Sequence, residues 1–273
     1  MSALDILNVY IHFFEKRNHK RIENSSLVPQ NDPTTLFTSS GMQPIIKYLL
    51  GKPHPEGKRL VNVQNCFRAQ DIDEIGDNRH TTFFRMLGNW SLGDYFKNEE
   101  IPWFWEFLTG ELKLDPKRLY VSVFGGYKDI EKDNLSASIW KSLFERAGID
   151  SEGRIFYCGV EENWWSRSGT PDNMPAGEPG GPDTEVYFDL KPNERKPDSD
   201  LSKNIDSGRF LEIGNSVFMT YQKSDNGDFV ELPQKNVDFG GGLERLLAAV
   251  ENKNDMFQTS LFSSIVDTIE LLT

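Results

Sequence analysis

The chain has 273 residues, of which 37% are hydrophobic and 12% aromatic, so it is long enough to build a sizeable core as one large domain or two small ones. Lys and Arg number 30 and Asp and Glu number 42, which gives a formal charge of -12 at pH 7. Nonspecific affinity for nucleic acid depends on cations that displace counterions from phosphates, so this charge excludes RNA binding through the overall field, and any RNA contact has to be local.

The cysteines, the histidines and the N-terminus exclude further classes of protein. Cys66 and Cys158 lie far apart, and the four histidines are scattered, so neither a disulfide framework nor a metal site made by the protein is predicted. The first residues lack the charged and apolar regions of a signal peptide, and no apolar run reaches about 18 residues. We therefore expect a cytoplasmic protein that does not contact a membrane.

In chain order, hydrophobic periodicity and capping signals predict helices and strands that alternate irregularly. Predicted helices cover residues 3–17, 45–50, 99–109, 136–147, 243–251 and 257–272. Predicted strands cover residues 36–40, 60–67, 82–87, 119–124, 155–160, 184–189 and 210–221, and the second and third of them form a long hairpin. Because the strands are joined by hairpins or helices in no βαβ order, the predicted fold class is α+β.

The first predicted helix has an N-terminal cap at Ser2 and ends in a basic cluster. Its predicted apolar stripe consists of Leu4, Leu7, Ile11 and Phe14. The basic cluster consists of Lys16, Arg17, Lys20 and Arg21. This cluster fits a solvated helix end, and it also fits a local RNA-facing patch.

Two long loops stand out. Residues 166–182 are rich in glycine and proline, and residues 191–207 are polar and charged. Loops of this length inside a compact domain are usually functional or disordered. We expect both segments to be mobile.

A nucleotide site is suggested by an arginine at the end of the strand 60–67 and aromatic residues after the polar loop that follows. The guanidinium of Arg68 can give bidentate hydrogen bonds to a phosphate. Phe83 and Phe84 are neighbours on a strand and face opposite sides, so one can pack in the core while the other offers its ring to a base. Alternatively, Arg68 is an ordinary surface arginine and both rings are core residues.

A second phosphate-binding candidate lies in residues 238–245, where three glycines precede a predicted helix. Glycines permit a close backbone approach and a positive φ, and the helix N-terminus directs N–H groups at an anion. Arg245 lies in the first turn of this helix, and Asp238 before the glycines could pair with an ammonium group. A plain connection between strand and helix is the alternative. Together, Arg68 and Arg245 suggest an enzyme that uses ATP to activate a carboxylate.

The predicted core strand 210–221 carries polar residues at its centre. Strict alternation places Glu212, Gly214, Ser216 and Phe218 on one face and Ile213, Asn215, Val217 and Met219 on the other. A buried Asn215 needs a hydrogen-bonding partner, which is either a polar ligand or another protein group.

These segments, in this order, resemble the catalytic domain of the alanyl-tRNA synthetase family, which belongs to the class II aminoacyl-tRNA synthetases. The resemblance covers nearly the whole chain and rests on residues 37–43, 66–97, 163–165 with 177–185, 212–219 and 238–245. It implies one catalytic domain over residues 1–273, built on an antiparallel β-sheet flanked by helices. Beyond that domain, it implies tRNA-recognition and editing domains that this chain lacks.

The resemblance also implies a role for each matched residue. Arg68 would bind the α-phosphate and Arg245 the γ-phosphate, as the catalytic residues. The implied ATP-binding residues are Arg68, His80, Phe83, Phe84, Glu212, Gly242 and Arg245. The implied amino-acid-binding residues are Met42, Trp165, Asn215, Val217, Asp238 and Gly240, with Asp238 on the α-ammonium group. Mg²⁺ is expected to bridge the ATP phosphates, and no protein metal ligand is assigned.

Three positions depart from the family pattern. Arg85 stands where a glutamate is expected, Gly214 where a tryptophan is expected, and Gly181 where many relatives have a cysteine. These departures concern the substrate contacts rather than the class of reaction.

The implied activity is formation of alanyl-adenylate from alanine and ATP, followed by transfer of alanine to the 3′ end of tRNA(Ala). Without the further domains, tRNA binding and charging should be weak and the fragment monomeric. One alternative is a free-standing paralogue that makes an aminoacyl-adenylate for another acceptor. Another is an inactive, synthetase-like binding module, against which the presence of Arg68, Asp238 and Arg245 argues.

Overall fold

The computed structural model describes residues 1–30 and 35–273, and within these ranges the chain forms eight α-helices and nine strands. The helices are α1 (Ala3–Glu15), α2 (Ile46–Leu49), α3 (Lys97–Glu106), α4 (Asn134–Arg146), α5 (Val160–Asn163), α6 (Leu201–Asp206), α7 (Leu243–Glu251) and α8 (Ser263–Leu272). The strands are β1 (Lys20–Arg21), β2 (Arg59–Phe67), β3 (Phe83–Leu92), β4 (Leu119–Phe124), β5 (Ile155–Cys158), β6 (Trp164–Ser166), β7 (Pro179–Asp189), β8 (Phe210–Lys223) and β9 (Phe229–Gly242). No helix in the described ranges is long and apolar enough to cross a membrane.

All nine strands of the described ranges join one sheet in the order β1-β2-β3-β9-β8-β7-β4-β5, and β6 pairs with β7. The pairs β1–β2 and β4–β5 are parallel, and the strands from β2 to β4 in this order are antiparallel. The predicted α+β class is therefore confirmed, as is the hairpin of β2 and β3, which pairs Arg59 with Ser91 and Phe67 with Phe83.

One face of the sheet is covered by helices α1, α3, α4 and α7. Their apolar side chains pack with those of the strands into one large cluster, which includes Tyr10, Phe104, Trp140, Leu246 and Phe239. The apolar stripe of α1 is rotated from the predicted one, because Ile6 and Tyr10 are fully buried while Leu4 is 63% exposed. Burying this face supplies the main hydrophobic stabilisation.

The opposite face of the sheet is covered only in part. One small cluster forms around Trp90, Met42 and Leu60, and another around Phe210 and Tyr187. The strands β9, β8 and β7 carry polar side chains on this same face, and that is where a ligand can reach the sheet.

The structure differs from several local predictions. Residues 36–40 form no strand. The backbone N–H of Thr38 nevertheless donates to the oxygen of Leu27, and its backbone oxygen accepts from the N–H of Phe67. The predicted strand 82–87 continues to Leu92 as β3, so Gly88 and Asn89 lie within it. The segment 166–182 is shorter as a loop than predicted, since β6 ends at Ser166 and β7 begins at Pro179. The mobility of both long segments stays a prediction.

A β-bulge in β8 changes the predicted alternation. Val186 of β7 pairs with Gly214 and Tyr187 pairs with Glu212, so Ile213 is an extra residue on β8. A bulge of this kind reverses the face of every residue on one side of it. Glu212 therefore shares the open face with Asn215 and Val217, whereas strict alternation placed it on the other face.

Packing in the main core explains why position 214 is glycine. A Cβ atom there would lie 2.5 Å from Cζ of Phe104 and 3.0 Å from Cε2 of Phe239, both in the main core. The space for a side chain at this position is thus filled by Phe104.

We predict that Gly214→Ala lowers the free energy of unfolding by about 1–3 kcal/mol, because an added methyl group overpacks the core. Thermal or denaturant unfolding measures this, and Phe104→Leu in the same background should recover part of the loss. Gly110→Ala is the control, since its Cβ would meet nothing closer than Cγ of Glu106 at 3.6 Å. Equal stability of Gly214→Ala and the wild type would contradict the close packing described here.

Candidate active site

A cavity of about 290 Å³ opens at the centre of the uncovered face. Of the thirteen residues assigned to the site from the sequence, twelve line it: Met42, Arg68, His80, Phe84, Trp165, Glu212, Asn215, Val217, Asp238, Gly240, Gly242 and Arg245. They come from β3, β6, β8, β9 and α7, from the segment before β2 and from the segment between β2 and β3. Residues far apart in the sequence thus converge on one cavity.

Phe83 is the exception, and its assignment to the site is not supported. Its side chain is 44% exposed and does not line the cavity, whereas the neighbouring Phe84 does. The reason is the alternation of β3, which turns adjacent side chains to opposite faces. Neither ring is a core residue, so the expected division between core and site is also wrong.

Arg68 and Phe84 lie together at one end of the cavity. The guanidinium carbon of Arg68 is 4.9 Å from the centre of the Phe84 ring, and its Nε donates to the backbone oxygen of Ser39 at 3.0 Å. Within the described ranges, Arg68 has no ion pair with a carboxylate. Its remaining N–H groups are therefore free to bind an anion.

Arg245 is held differently from Arg68. Its Nη1 donates to Oε2 of Glu212 at 2.7 Å, and its Nε donates to the backbone oxygen of Arg79 at 3.2 Å. His80 is oriented beside it by Asp77, whose Oδ2 lies 2.6 Å from Nδ1 of the ring. This end of the cavity offers fixed cationic and polar groups, which suit a polyphosphate.

The residues Gly240, Gly241 and Gly242 do not use the positive φ that glycine permits. They are the last residues of β9. A Cβ at Gly240 would lie 3.2 Å from Sδ of Met86, and one at Gly241 would lie 3.2 Å from the backbone oxygen of Ile213. The glycines thus allow close approach to neighbouring strands, and α7 begins directly after them with its N-terminus at the cavity.

The other end of the cavity contains a buried carboxylate, Asp238. Burial raises the pKa of Asp238 to about 7, and a hydrogen bond from the indole of Trp90 opposes part of that rise. Nearby, Asn215 donates from Nδ2 to Oε1 of Glu185 at 3.2 Å. Its Oδ1 is buried and has no hydrogen-bond partner within the described ranges. A carboxylate and an orphaned amide oxygen are together suited to an ammonium group.

Sequence reasoning missed three carboxylates of the cavity wall, Asp71, Glu185 and Glu244. Burial, with the charges of Glu212 and Asp183, raises the pKa of Glu185 well above its usual value. Glu244 accepts hydrogen bonds from the backbone N and the Nε of Arg85, both at 3.0 Å. The available signals of a functional role were the position of Glu244 on the apolar side of α7 and that of Glu185 in the buried strand β7.

The three departures from the family pattern have structural explanations. The charge of Arg85 is compensated by Glu244, which is 3% exposed. Gly181 lies where a Cβ would come within 2.2 Å of the backbone oxygen of Phe218, so no side chain fits there. Neither Gly181 nor Gly214 lines the cavity, and their identity therefore does not alter the contacts made within it.

A further buried carboxyl group, Glu100, lies behind the cavity on the helical side of the sheet. Glu100 of α3 accepts a hydrogen bond from Nδ2 of Asn89 at 2.8 Å, and Oδ1 of Asn89 accepts one from the hydroxyl of Tyr10 at 2.7 Å. Burial raises the pKa of Glu100 to about 8. The group is thus neutral in the folded protein below that pH.

We predict that this carboxyl group makes stability depend on pH. Between about pH 5 and pH 8 the unfolded chain has lost the proton of Glu100 and the folded protein retains it, so stability falls as pH rises, by about 1.4 kcal/mol per unit. Glu100→Gln removes this contribution, so the variant should gain on the wild type as pH rises. Urea unfolding across this pH range measures the difference in free energy of unfolding between the variant and the wild type. The contributions of the other buried acids cancel in this difference.

Glu111→Gln serves as the control, because Glu111 is exposed and near the same helix. Its difference from the wild type should stay constant with pH. A constant difference for Glu100→Gln as well would show that Glu100 is ionised throughout, contrary to its position in the core.

Known proteins resemble this chain in sequence and in fold. The family model for "tRNA synthetases class II (A)" matches residues 5–273. The alanine–tRNA ligase of Treponema denticola is 45% identical over 272 residues, which cover 97% of this chain and 42% of the relative. That of Borreliella burgdorferi is 46% identical over 275 residues, covering 100% of this chain and 44% of the relative. The chain therefore spans about two fifths of the length of these curated relatives.

Two solved structures share the fold at low sequence identity. Histidyl-tRNA synthetase from S. aureus matches with a TM-score of 0.50 and 13% identity, over 94% of this chain and 67% of that one. Aspartyl-tRNA synthetase from Entamoeba histolytica matches with a TM-score of 0.50 and 12% identity, over 95% of this chain and 56% of that one. At such identities the likeness concerns the fold alone.

Proposed function

Since the chain belongs to the tRNA synthetases of class II (A), we propose that it is the catalytic core of an alanine–tRNA ligase. It would condense alanine with ATP to give alanyl-adenylate and pyrophosphate, and then transfer alanine to the 3′ end of tRNA(Ala). The observation that carries this proposal is the polarity of the cavity. Asp238 pairs with Trp90 of β3 and Asn215 pairs with Gly240 of β9, at the end suited to an amino acid. Arg68 follows the end of β2 that pairs with Phe83, and Arg245 follows the end of β9 that pairs with Met86, so both arginines lie towards the other end of β3, where phosphates would be.

Alanine would bind with its ammonium group between Asp238 and Oδ1 of Asn215. Met42, Val217 and Trp165 supply the apolar wall for a methyl side chain. A side chain larger than a methyl group would have to displace this wall, whereas serine adds one hydroxyl and is hard to reject in such a pocket. The amino-acid end therefore favours alanine and discriminates weakly against serine.

In the reaction, a carboxylate oxygen of alanine attacks the α-phosphorus of ATP, and pyrophosphate leaves. Arg68 would stabilise the negative charge that grows on the α-phosphate, and Arg245 would hold the γ-phosphate. Phe84 offers its ring to the adenine. Catalysis would rest on orientation and phosphate electrostatics, without a covalent intermediate on the enzyme.

Mg²⁺ fits the donor set at the phosphate end. Carboxylate oxygens of Glu212 and Glu185 lie on the cavity wall there, and the pKa of Glu185 is raised in part by the charge of Glu212, a repulsion that a cation would relieve. Mg²⁺ usually binds through one or two carboxylates, phosphate oxygens and water, and when bound it would neutralise phosphate charge. Glu212, beside Arg245, is the residue we assign to it.

Binding of tRNA by this chain alone should be weak. Within the basic cluster, Arg17 pairs with Glu106 at 2.6 Å and lies 3.5 Å from the centre of the Phe13 ring. These contacts favour the solvated helix end over an RNA-facing patch. The monomeric state and the cytoplasmic location stay predictions, as does the weak charging of tRNA.

We predict that ATP–pyrophosphate exchange measured across the twenty amino acids is led by alanine, followed by serine and glycine. Asp238→Ala should lower kcat/KM for alanine on the order of a hundredfold or more, because it removes one partner of a buried ion pair. Asp172→Ala is the matched control, since its side chain is 70% exposed and remote from the cavity wall.

Exchange led by another amino acid would favour the free-standing paralogue, which no observation favours at present. Binding of ATP without exchange for any amino acid would indicate the inactive binding module. Undetectable exchange at high serine concentration would contradict the weak discrimination described above.

A pH dependence follows from the raised pKa of Asp238. Because the ammonium group needs an ionised partner, and the pKa of Asp238 is about 7, kcat/KM for alanine should fall about tenfold between pH 8 and pH 6. The KM for ATP, measured over the same pH range, reports the ionisation of groups other than Asp238. If kcat/KM for alanine in Asp238→Asn showed the same fall, another group would be responsible.

A further inference from the structure

The side chain of Asp238 has one hydrogen-bond partner within the described ranges, and that partner is an indole. Nε1 of Trp90 donates to Oδ1 of Asp238 at 2.6 Å. The two residues lie directly opposite each other, Trp90 on β3 and Asp238 on β9, so their side chains leave the sheet on the same face. Trp90 is fully buried, and the contact is therefore shielded from water.

The position of the indole ring is fixed by glycines. A Cβ at Gly88 would lie 2.3 Å from Cη2 of Trp90, and one at Gly41 would lie 2.9 Å from Cζ2. The ring thus occupies the space of two missing side chains and packs with Met42 and Leu60 on its apolar sides. A ring held in this way presents its N–H in one direction.

We propose that Trp90 is a positioning residue for Asp238: its indole N–H holds one carboxylate oxygen, so that the other is oriented and charged to receive the ammonium group of the amino acid. The inference rests on the proposed function, in which Asp238 binds that group. Oδ2 of Asp238 has no hydrogen-bond partner in the described part of the chain, which leaves it available for the ligand.

The electrostatics agree with this geometry. Burial raises the pKa of Asp238 to about 7, and the bond from Trp90 is the one contact that lowers it. A hydrogen bond to an ionised group favours the ionised form, so loss of the indole donor should leave more of Asp238 neutral near pH 7. A neutral Asp238 attracts an ammonium group only weakly.

Other titratable groups face Asp238 and must be distinguished from it. They are Tyr10 and Glu100 on the helical side of the sheet and, along the cavity, Arg68, Asp71, Arg79, His80, Glu185, Glu212, Glu244 and Arg245. Removing the indole N–H changes none of these groups, so an effect specific to Trp90 is separable from theirs.

The test is Trp90→Phe, which keeps an aromatic ring and removes the N–H. In ATP–pyrophosphate exchange at pH 7, KM for alanine should rise about tenfold to a hundredfold, the effect of losing a hydrogen bond to a charged group, with the KM for ATP within about twofold. The midpoint of kcat/KM for alanine against pH should move up from about 7 by about one unit or more. In the Asp238→Asn background the same substitution should add little, because the two residues act through one contact.

Trp140→Phe is the matched control. Trp140 is also buried, and its Nε1 donates to the hydroxyl of Thr184 at 2.9 Å, outside the cavity wall. It should lose stability without a change in the pH midpoint or in KM for alanine. The proposal would be overturned by a Trp90→Phe enzyme whose KM for alanine and pH midpoint match the wild type, or by equal shifts in both tryptophan variants.

A second measurement, on the wild type, tests the proposal if the Trp90→Phe variant does not fold. In the ¹⁵N-labelled wild type, one of the six indole N–H signals should move with pH around a midpoint near 7, and this movement should vanish in Asp238→Asn. Six signals without such a response would contradict the proposal. If the wild type shows no exchange with alanine, the proposed function fails, and the indole titration alone then decides whether Trp90 holds Asp238.

Discussion

The burial of carboxyl groups near the centre of the sheet is the constraint on which the rest of the site depends. Asp238, Glu185 and Asp183 lie within the open face and Glu100 lies behind it, and burial raises the pKa of each. A buried charge is costly unless it is paired, so these groups either keep their protons or bind a cation. The open face is therefore suited to cationic ligands.

The two arginines make one end of the cavity cationic. Arg68 has no carboxylate partner in the described ranges, whereas Arg245 is paired with Glu212 at 2.7 Å. One cation is therefore available to a new anion without prior rearrangement, and the other is held in place by a carboxylate that a metal ion could share. The substrate's own charges, ammonium at one end and phosphates at the other, match this order, which is how binding energy can be used for orientation.

The sequence was most informative where chemistry and spacing coincide, and least where backbone geometry decides. The convergence of Arg68, Asp238 and Arg245 on one cavity could be predicted because their segments together resemble one family, whereas each segment taken alone also fits an ordinary structural role. The face of Glu212 could not, because a single extra residue in β8 reverses it and nothing in the local sequence marks the bulge. The glycines before α7 indicate a close backbone approach, but the sequence does not say what approaches them, because the neighbours are strands distant in the chain.

The same carboxyl groups act in opposite directions on stability and on binding. A carboxyl group whose pKa is raised on folding costs stability as pH rises through the range where the unfolded chain is already ionised. Recognition of an ammonium group requires that ionised form. An empty site is therefore least stable under the conditions in which it binds best, and the ligand restores the lost free energy by pairing with Asp238. A donor such as the indole of Trp90 moderates this conflict, because it stabilises the charged carboxylate before any ligand arrives.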